Sequence, residues 1–451
     1  MTDVAGLVRD RADKYVGWLT DACSIPSMES DPQGLVTMVS WVEDKLMGLG
    51  AEVERLTYEG APDALLGVLG SGDKALLFYD HYDVQPVDPI DEWRSPPFEP
   101  EIRDGLFFAR GSADNKGDLV ARLAALEVYQ EVHGEIPFTI KFLIEGEEET
   151  GSKSFLEIVE QNRAKLAADG CIWEGQGIDH SGRPALVFGA KGLAYVELNH
   201  KGLNEDQHSS FAVYAPSPAW HMVEALSTLR APDGTVLIDG FYEDVVPPSA
   251  EDLEILSDFP FDEETERDRL GVDSFVGDVT GVEFLKRYFF EPTCNIAGLI
   301  TGFTVPGASK TVLPKQAMAK LDMRLVPNQD PNDIVGKLRK HLDERGYGDI
   351  EMTTFSMEHP VRSEPGFALG KAAIDAAHDT FDKPPAVAPM MIATGPMHVI
   401  ARGLGVPTVS PAGVYRPTSD IHAPNENCRV EDYLKIIEYT VAYIDKFART
   451  E

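Results

Sequence analysis

The sequence predicts an α/β protein. A mixed, largely parallel sheet with helices on both faces is built from residues 1–189 and 358–451, and a smaller α+β unit is inserted at 190–357. Three observations predict this. Helical and strand-like apolar spacings alternate along the N-terminal part of the chain. The run ALLFYD is apolar without a break until its last residue, as a central strand of an α/β sheet should be. Around Lys191 the pattern changes to alternating strands, and helical spacing returns after Pro360.

The elements follow in order. Leu35 to Leu49 (LVTMVSWVEDKLMGL) has helical apolar spacing closed by Gly50, and AEVERLT at Ala51 to Thr57 is strand-like. GVLGSG, with Gly67, Gly70 and Gly72, reads as a turn between strands, since no helix start follows to form a phosphate cradle. ALLFYD at Ala75 to Asp80 leads directly into His81. Lys116 to Val132 carries a helical stripe through Leu119, Leu123, Leu126 and Tyr129. FTIKFLI at Phe138 to Ile144 is a strand, Ser154 to Leu166 a helix, and the short apolar run CIW ends at Glu174. In open α/β sheets ligands bind beyond the carboxyl ends of strands, so His81, the Glu145 to Glu149 cluster and Glu174 converge on one crevice.

In the inserted unit, LAYVELNHKG is a strand, a helix lies near Ala219 to Leu229, and Asp233 to Glu283 is an acidic, loop-rich segment. The strand AKLDMRLVP closes the unit, with Lys320, Asp322 and Arg324 on one face and Leu321, Met323 and Leu325 on the other. Helical patterns at Phe367 to Phe381 and Val430 to Phe447 then complete the first domain.

Composition narrows the function. The chain has 451 residues, 25% charged and 43% hydrophobic, enough for a large core and two to three domains, which excludes a peptide, a disulfide scaffold or a low-complexity polymer. The net charge of -35 repels phosphate backbones and anionic lipid surfaces, so neither nucleic acid nor membrane is expected as a partner. Cys23, Cys171, Cys294 and Cys428 form no Cys-x-x-Cys pair and read as reduced thiols. MTDVAGLVRD at Met1 to Asp10 lacks the basic and apolar regions of a secretory signal, and no stretch approaches the ~18 apolar residues of a membrane helix. A cytoplasmic protein is expected.

Several residues carry chemistry. A metal hydrolase needs carboxylate and imidazole donors plus one unbound carboxylate to take a proton from water. His81-Tyr-Asp83 puts two side chains on one side of an extended segment, so Asp83 can accept the second ring N–H of a ligating His81; a core histidine beside a surface aspartate is the plainer alternative. In ARGSADNKGD, Asp114 either caps the helix opening near Lys116 or bridges two cations. EGEEETGS, Glu145 to Ser152, crowds four carboxylates into five residues, as a solvated acidic loop or as a metal and general-base site. In the second case Glu148 and Glu149 divide the labour, one binding metal and the other deprotonating water. His422 in SDIHAPNEN lies in a polar, Pro-containing loop that favours a ligand over a core histidine; His208 in EDQHSS is also in a polar loop. His133, His180, His221, His341 and His378 receive no role.

Taken in order and spacing, HYDVQP, ARGSADNKG, EGEEETGS, WEG, QHSS, DMRLVP and IHAPNE resemble the dinuclear zinc metallopeptidase family of carnosine dipeptidases, glutamate carboxypeptidase, acetylornithine deacetylase and aminoacylases. DHYDVQPVDPIDEW resembles the dipeptidase branch. The resemblance spans nearly the whole chain and implies two divalent ions, zinc or else manganese or cobalt, bridged by Asp114. His81 and Glu174 would complete one site, and Glu149 and His422 the other. Glu148 would be the general base and later acid, with Asp83 behind His81. It further implies a cis peptide after Asp114 and an inserted domain acting as lid and dimerisation surface. His208 would reach the partner subunit's active site of an obligate homodimer, and Arg324 would hold the substrate carboxylate. Asn295 is grouped with these two on the substrate-binding side.

Two departures stand out. Glu174 replaces an aspartate common among relatives, and MIATGPMH at Met391 to His398 lacks the arginine and serine of the usual Arg-x-Gly-Gly-Ser. The expected activity is hydrolysis of the amide bond of dipeptides or small N-acyl amino acids by metal-activated water. The alternatives are N-deacylation or decarbamoylation of a specific metabolic intermediate, of the acetylornithine deacetylase or succinyl-diaminopimelate desuccinylase type, and a catalytically silent binding homologue, against which the filled ligand positions count.

Overall fold

A computed structural model describes residues 3–450. The chain divides into two compact units: Met1–Gly189 with Arg362–Pro389 and Pro396–Glu451, and Ala190–Val361 with Met390–Gly395. The second unit thus runs a few residues past 357 and takes in a short later segment, because Lys191 N donates to Met391 O and the Thr394 hydroxyl to Gly192 O.

In the first unit a six-stranded sheet runs in the order Glu52–Leu56, Ala64–Leu69, Thr139–Glu145, Ala75–His81, Gly170–Ile172, Thr408–Val409. The first two pairings are antiparallel and the remaining three parallel. Ala75–His81 is buried at every position, which explains its unbroken apolar run. Its neighbouring side chains show why helices cover both faces. Phe78 stacks on Phe142 and lies against Tyr443 of the helix Val430–Ala448, whereas Tyr79 points the other way, onto Trp173 and Phe155 of the helix Phe155–Gln161. The helix Pro32–Gly48 starts with Asp31 accepting from Gly34 N and with Pro32 in its first turn, and the chain leaves it through Gly50 at positive φ.

Three local expectations need correction. Gly67 lies within the strand Ala64–Leu69, where its Cβ would stand 3.0 Å from Leu46 Cδ1; only Gly70 and Gly72 form the turn. The helix expected over 154–166 is broken at Asn162 into Phe155–Gln161 and Arg163–Leu166. The acidic segment 233–283 holds the helices Ala250–Asp258 and Glu263–Leu270, and Gly281–Phe290 starts at its end.

The second unit is built on a four-stranded antiparallel sheet, ordered Asn295–Thr301, Gln316–Leu325, Gly192–Lys201, Glu351–Glu358. Ala194, Val196 and Leu198 pack with Leu321, Met323 and Leu325 against Met222 and Leu226 of the helix Pro218–Ser227 and Ile334 and Leu338 of the helix Pro331–Glu344. Alternation in sequence therefore becomes one buried face, the opposite residues Lys320, Asp322 and Arg324 being only partly buried.

Candidate metal centre

The parallel strands Ala75–His81 and Thr139–Glu145 end in register, His81 opposite Glu145. His81, the last residue of its strand, is fully buried, so the site is built on the core of the first unit. His81 Nε2 lies 3.2 Å from Asp114 Oδ1, and His422 Nε2 lies 3.0 Å from Asp114 Oδ2 and 3.3 Å from Glu149 Oε2. Asp114 thus turns one oxygen to each histidine. Two donor sets result, His81, Asp114 and Glu174, and Asp114, Glu149 and His422, each with one atom per residue within 4.8 Å of the others.

Asp114 does not cap the following helix: Asn115 occupies the cap position and makes no side-chain capping bond, and the Asp114–Asn115 peptide is cis. Nor is Asp83 a surface residue. It is 2% exposed, its Oδ1 stands 3.3 Å from His81 Nδ1, and its Oδ2 accepts from Glu149 N at 3.0 Å. His81 Nδ1 is also 3.2 Å from the Asp83 carbonyl oxygen. One aspartate therefore orients a residue of each donor set. The acidic turn is not a solvated loop either, since Glu145 is buried and bonded to Tyr79 at 2.6 Å and Ser152 at 3.0 Å. Gln85 Nε2 donates to Glu149 Oε2 at 2.8 Å.

Glu174 is positioned by a close approach of two loops. A Cβ at Gly175 would meet Asp118 Oδ2 at 2.2 Å, and one at Gly413 would meet the same oxygen at 2.4 Å, so only glycine lets these segments meet. The Ser410 hydroxyl donates to the Glu174 carbonyl.

The electrostatics follow from burial and crowding. Burial raises Glu174 well above the carboxylate range, with Glu148 adding to the effect. Burial, opposed by His81 and reinforced by Glu149, Asp114 and Asp83, pushes Glu148 up to about 7. Burial works against ionisation of Asp114, yet hydrogen bonds from His422 and His81 hold it below its ordinary value. The same bonds to Asp114, with those to Glu149, carry His422 to about 10. Among the described residues Glu174 Oε1 is buried without a hydrogen-bond partner. An orphaned carboxylate oxygen beside two mixed imidazole and carboxylate sets fits a pair of divalent cations, which would offset the repulsion and satisfy the oxygen.

Two residues that sequence reasoning missed hold this centre in place. Glu426 is buried and accepts from Arg110 Nη1 at 2.7 Å and from the backbone N–H of Gly111, Ala113 and Asp114 at 3.0, 2.9 and 3.0 Å. The carboxylate in HAPNE and the arginine in ARGSAD were the available signal, but only the fold pairs residues 316 positions apart.

The remaining predicted residues lie in the second unit. Asn295 Nδ2 donates to Asp322 Oδ2 at 3.2 Å, Arg324 Nη1 donates to the Thr394 hydroxyl at 2.6 Å, and all three charged or amide groups line a cavity of about 1220 Å³. His208 is exposed and does not line that cavity; its Nδ1 accepts from Ser210 N at 3.2 Å and its Nε2 is 3.4 Å from the Thr311 hydroxyl. No helix among the described residues is long and apolar enough to cross a membrane.

Comparison with known proteins finds relatives over most of the chain. The human Beta-Ala-His dipeptidase is 30% identical over 357 residues, covering 74% of this chain and 69% of the relative. A Cys-Gly metallodipeptidase of Schizosaccharomyces pombe is 28% identical, covering 74% of each. The M20 family metallo-carboxypeptidase Sso-CP2 from Sulfolobus solfataricus superposes with a TM-score of 0.88 at 36% identity over 97% of this chain and 99% of that one. Residues 77–446 match the model of peptidase family M20/M25/M40, and the chain belongs to that family of metal-dependent peptidases.

Proposed function

We propose that the chain hydrolyses dipeptides with a free C-terminal carboxylate at a centre of two ions, zinc in the first instance and manganese or cobalt as alternatives. The observation that carries this is the pair of donor sets sharing Asp114, with the raised carboxyl of Glu148 beside them. In this reading His81, Asp114 and Glu174 hold one ion, and Asp114, Glu149 and His422 the other. Bound ions of this kind polarise a carbonyl and lower the pKa of water.

The protein's own groups supply the rest. Glu148 accepts a proton from the attacking water as the new C–O bond forms, then returns it to the amine nitrogen as the C–N bond breaks. Asp83 fixes the orientation of His81 and, through Glu149 N, the turn that carries Glu148. Arg324, oriented by Thr394, pairs with the substrate carboxylate, and Asn295 lines the same cavity. His208, exposed on the second unit, serves the partner subunit's site in a homodimer and stabilises the developing oxyanion there. In this reading the second unit is lid and dimerisation domain. That the human and fission-yeast relatives are dipeptidases favours a dipeptide over a deacylation substrate. Four buried, unpaired cysteines support a reducing, cytoplasmic setting.

The test is a panel of dipeptides, N-acetyl amino acids and dipeptide amides given to metal-stripped protein resupplied with zinc, manganese or cobalt. Metal-restored cleavage confined to dipeptides with a free carboxylate is expected. Preference for the N-acetyl compounds would overturn the dipeptidase reading, and metal-independent cleavage would overturn the metal centre.

A further inference from the structure

A second group of metal-ligating side chains lies in the second unit and shares no residue with the two donor sets described above. His200 is at the end of the strand Gly192–Lys201, His221 on the helix Pro218–Ser227, and Asp349 in the connection between the helix Pro331–Glu344 and the strand Glu351–Glu358. His200 continues the buried face of its strand after Ala194, Val196 and Leu198, so its ring points towards the helices. Asp349 Oδ1 lies 2.8 Å from His221 Nε2, and its Oδ2 lies 3.5 Å from His200 Nδ1. The two rings are 4.3 Å apart between centroids. One donor atom from each of the three falls within 4.8 Å of the others.

We propose that His200, His221 and Asp349 form a further metal site, taking zinc or another borderline divalent cation. At metal–nitrogen and metal–oxygen distances of about 2.0–2.2 Å, tetrahedral donors stand roughly 3.3 Å apart; Asp349 turns one oxygen to each histidine, at 2.8 and 3.5 Å, and one donor atom of each residue already lies within 4.8 Å of the others. Two imidazoles and one carboxylate suit zinc, cobalt, nickel or copper and do not suit magnesium or calcium, which prefer an all-oxygen shell. His200 Nδ1 is buried, and its approach to Asp349 Oδ2 at 3.5 Å is too long and poorly aligned to count as a hydrogen bond. The ion pair as it stands gives that nitrogen only this long contact, whereas a cation between the rings would use it as a ligand.

The surroundings keep the donors in place. Tyr347 sets its ring edge-on to His221 at 5.2 Å, and Gly202 backs His200, where a Cβ would come within 3.0 Å of Nε2. Asp349 is about half exposed, which leaves an open position for water and a path for the ion. The ion would tie together a strand, a helix and a loop of the second unit, making the stability of that unit respond to free zinc.

The test uses the metal-loaded full chain, equilibrated with micromolar free zinc and counted by mass spectrometry. His221→Asn and the more exposed Asp349→Asn are each expected to hold one zinc fewer per chain than the parent, whatever the parent's total, with turnover retained and with a smaller zinc-dependent elevation of the melting temperature. Cobalt loading should give a visible band component in the parent that both variants lack. Equal metal content in parent and variants overturns the proposal. So does a lost ion accompanied by lost turnover, which assigns that ion to the donor sets of the first unit.

Discussion

Replacing Glu426 by Gln isolates what holds the Asp114 loop. The carboxylate is about 1% exposed, and its two oxygens take four donors: Arg110 Nη1 and Gly111 N at Oε2, Ala113 N and Asp114 N at Oε1. Glutamine keeps one acceptor and turns an NH2 towards two donors. If the remaining oxygen serves Ala113 and Asp114, Arg110 is left as a buried charge without its anion and Gly111 N loses its partner. Removing one member of a buried pair costs about 3–5 kcal/mol and an unsatisfied buried group about 1–3 kcal/mol, though the terms overlap, so a loss of about 4 kcal/mol is expected. Because two of the donors are the backbone of Ala113 and Asp114, metal affinity should fall as well, by about 10–100-fold. Urea unfolding of the stripped protein measures the first quantity and competition with a chelator the second. Glu426→Gln within about 1 kcal/mol of the parent and with unchanged affinity would refute the reasoning. Adding Arg110→Met to Glu426→Gln should cost less than the sum of the single changes, since the second removal takes away the stranded charge.

Other consequences follow from the same geometry. Arg324→Ala should lower kcat/KM for dipeptides with a free carboxylate by roughly 10–200-fold, the value of a charge-assisted hydrogen bond, and leave the corresponding amides nearly unchanged; equal losses would remove the anchoring role. Mixing inactive His208→Ala subunits with inactive Glu148→Gln subunits should restore activity if His208 acts across a dimer, and no recovery would count against it. Burial, only partly opposed by Glu291, lowers Lys191 to about 8 from its ordinary 10.5. Between those values the unfolded chain binds the extra proton, so this group makes stability rise with pH by up to about 1.4 kcal/mol per unit. Lys191→Met should remove that slope in urea unfolding between pH 8 and 10.5, and parallel curves for parent and variant would contradict it.

The sheet of the first unit was legible because its signals are local. ALLFYD and FTIKFLI are short apolar runs whose polar ends are set by chain direction alone, so His81 and the glutamate cluster fall at one edge as expected. The alternation around Arg324 was equally direct. What the sequence hid depends on contacts between distant segments. Whether Asp114 caps a helix or faces two histidines is decided by His422, 308 residues away. Glu426 has no periodic signature, and its importance comes from four donors that the fold brings to it. The helix Glu263–Leu270 buries no residue and so carries no apolar stripe to distinguish it from an acidic loop. His200, His221 and Asp349 are spread over a strand, a helix and a loop and resemble no motif when read in order.

The central claim is that these carboxylates divide between holding metal and moving a proton. It is tested most directly by measuring metal content and dipeptide turnover on one preparation of Glu148→Gln. Parent-level metal with turnover reduced about 10²–10⁴-fold is the expected result for loss of a general base. Turnover near that of the parent, or metal lost together with activity, would contradict the account.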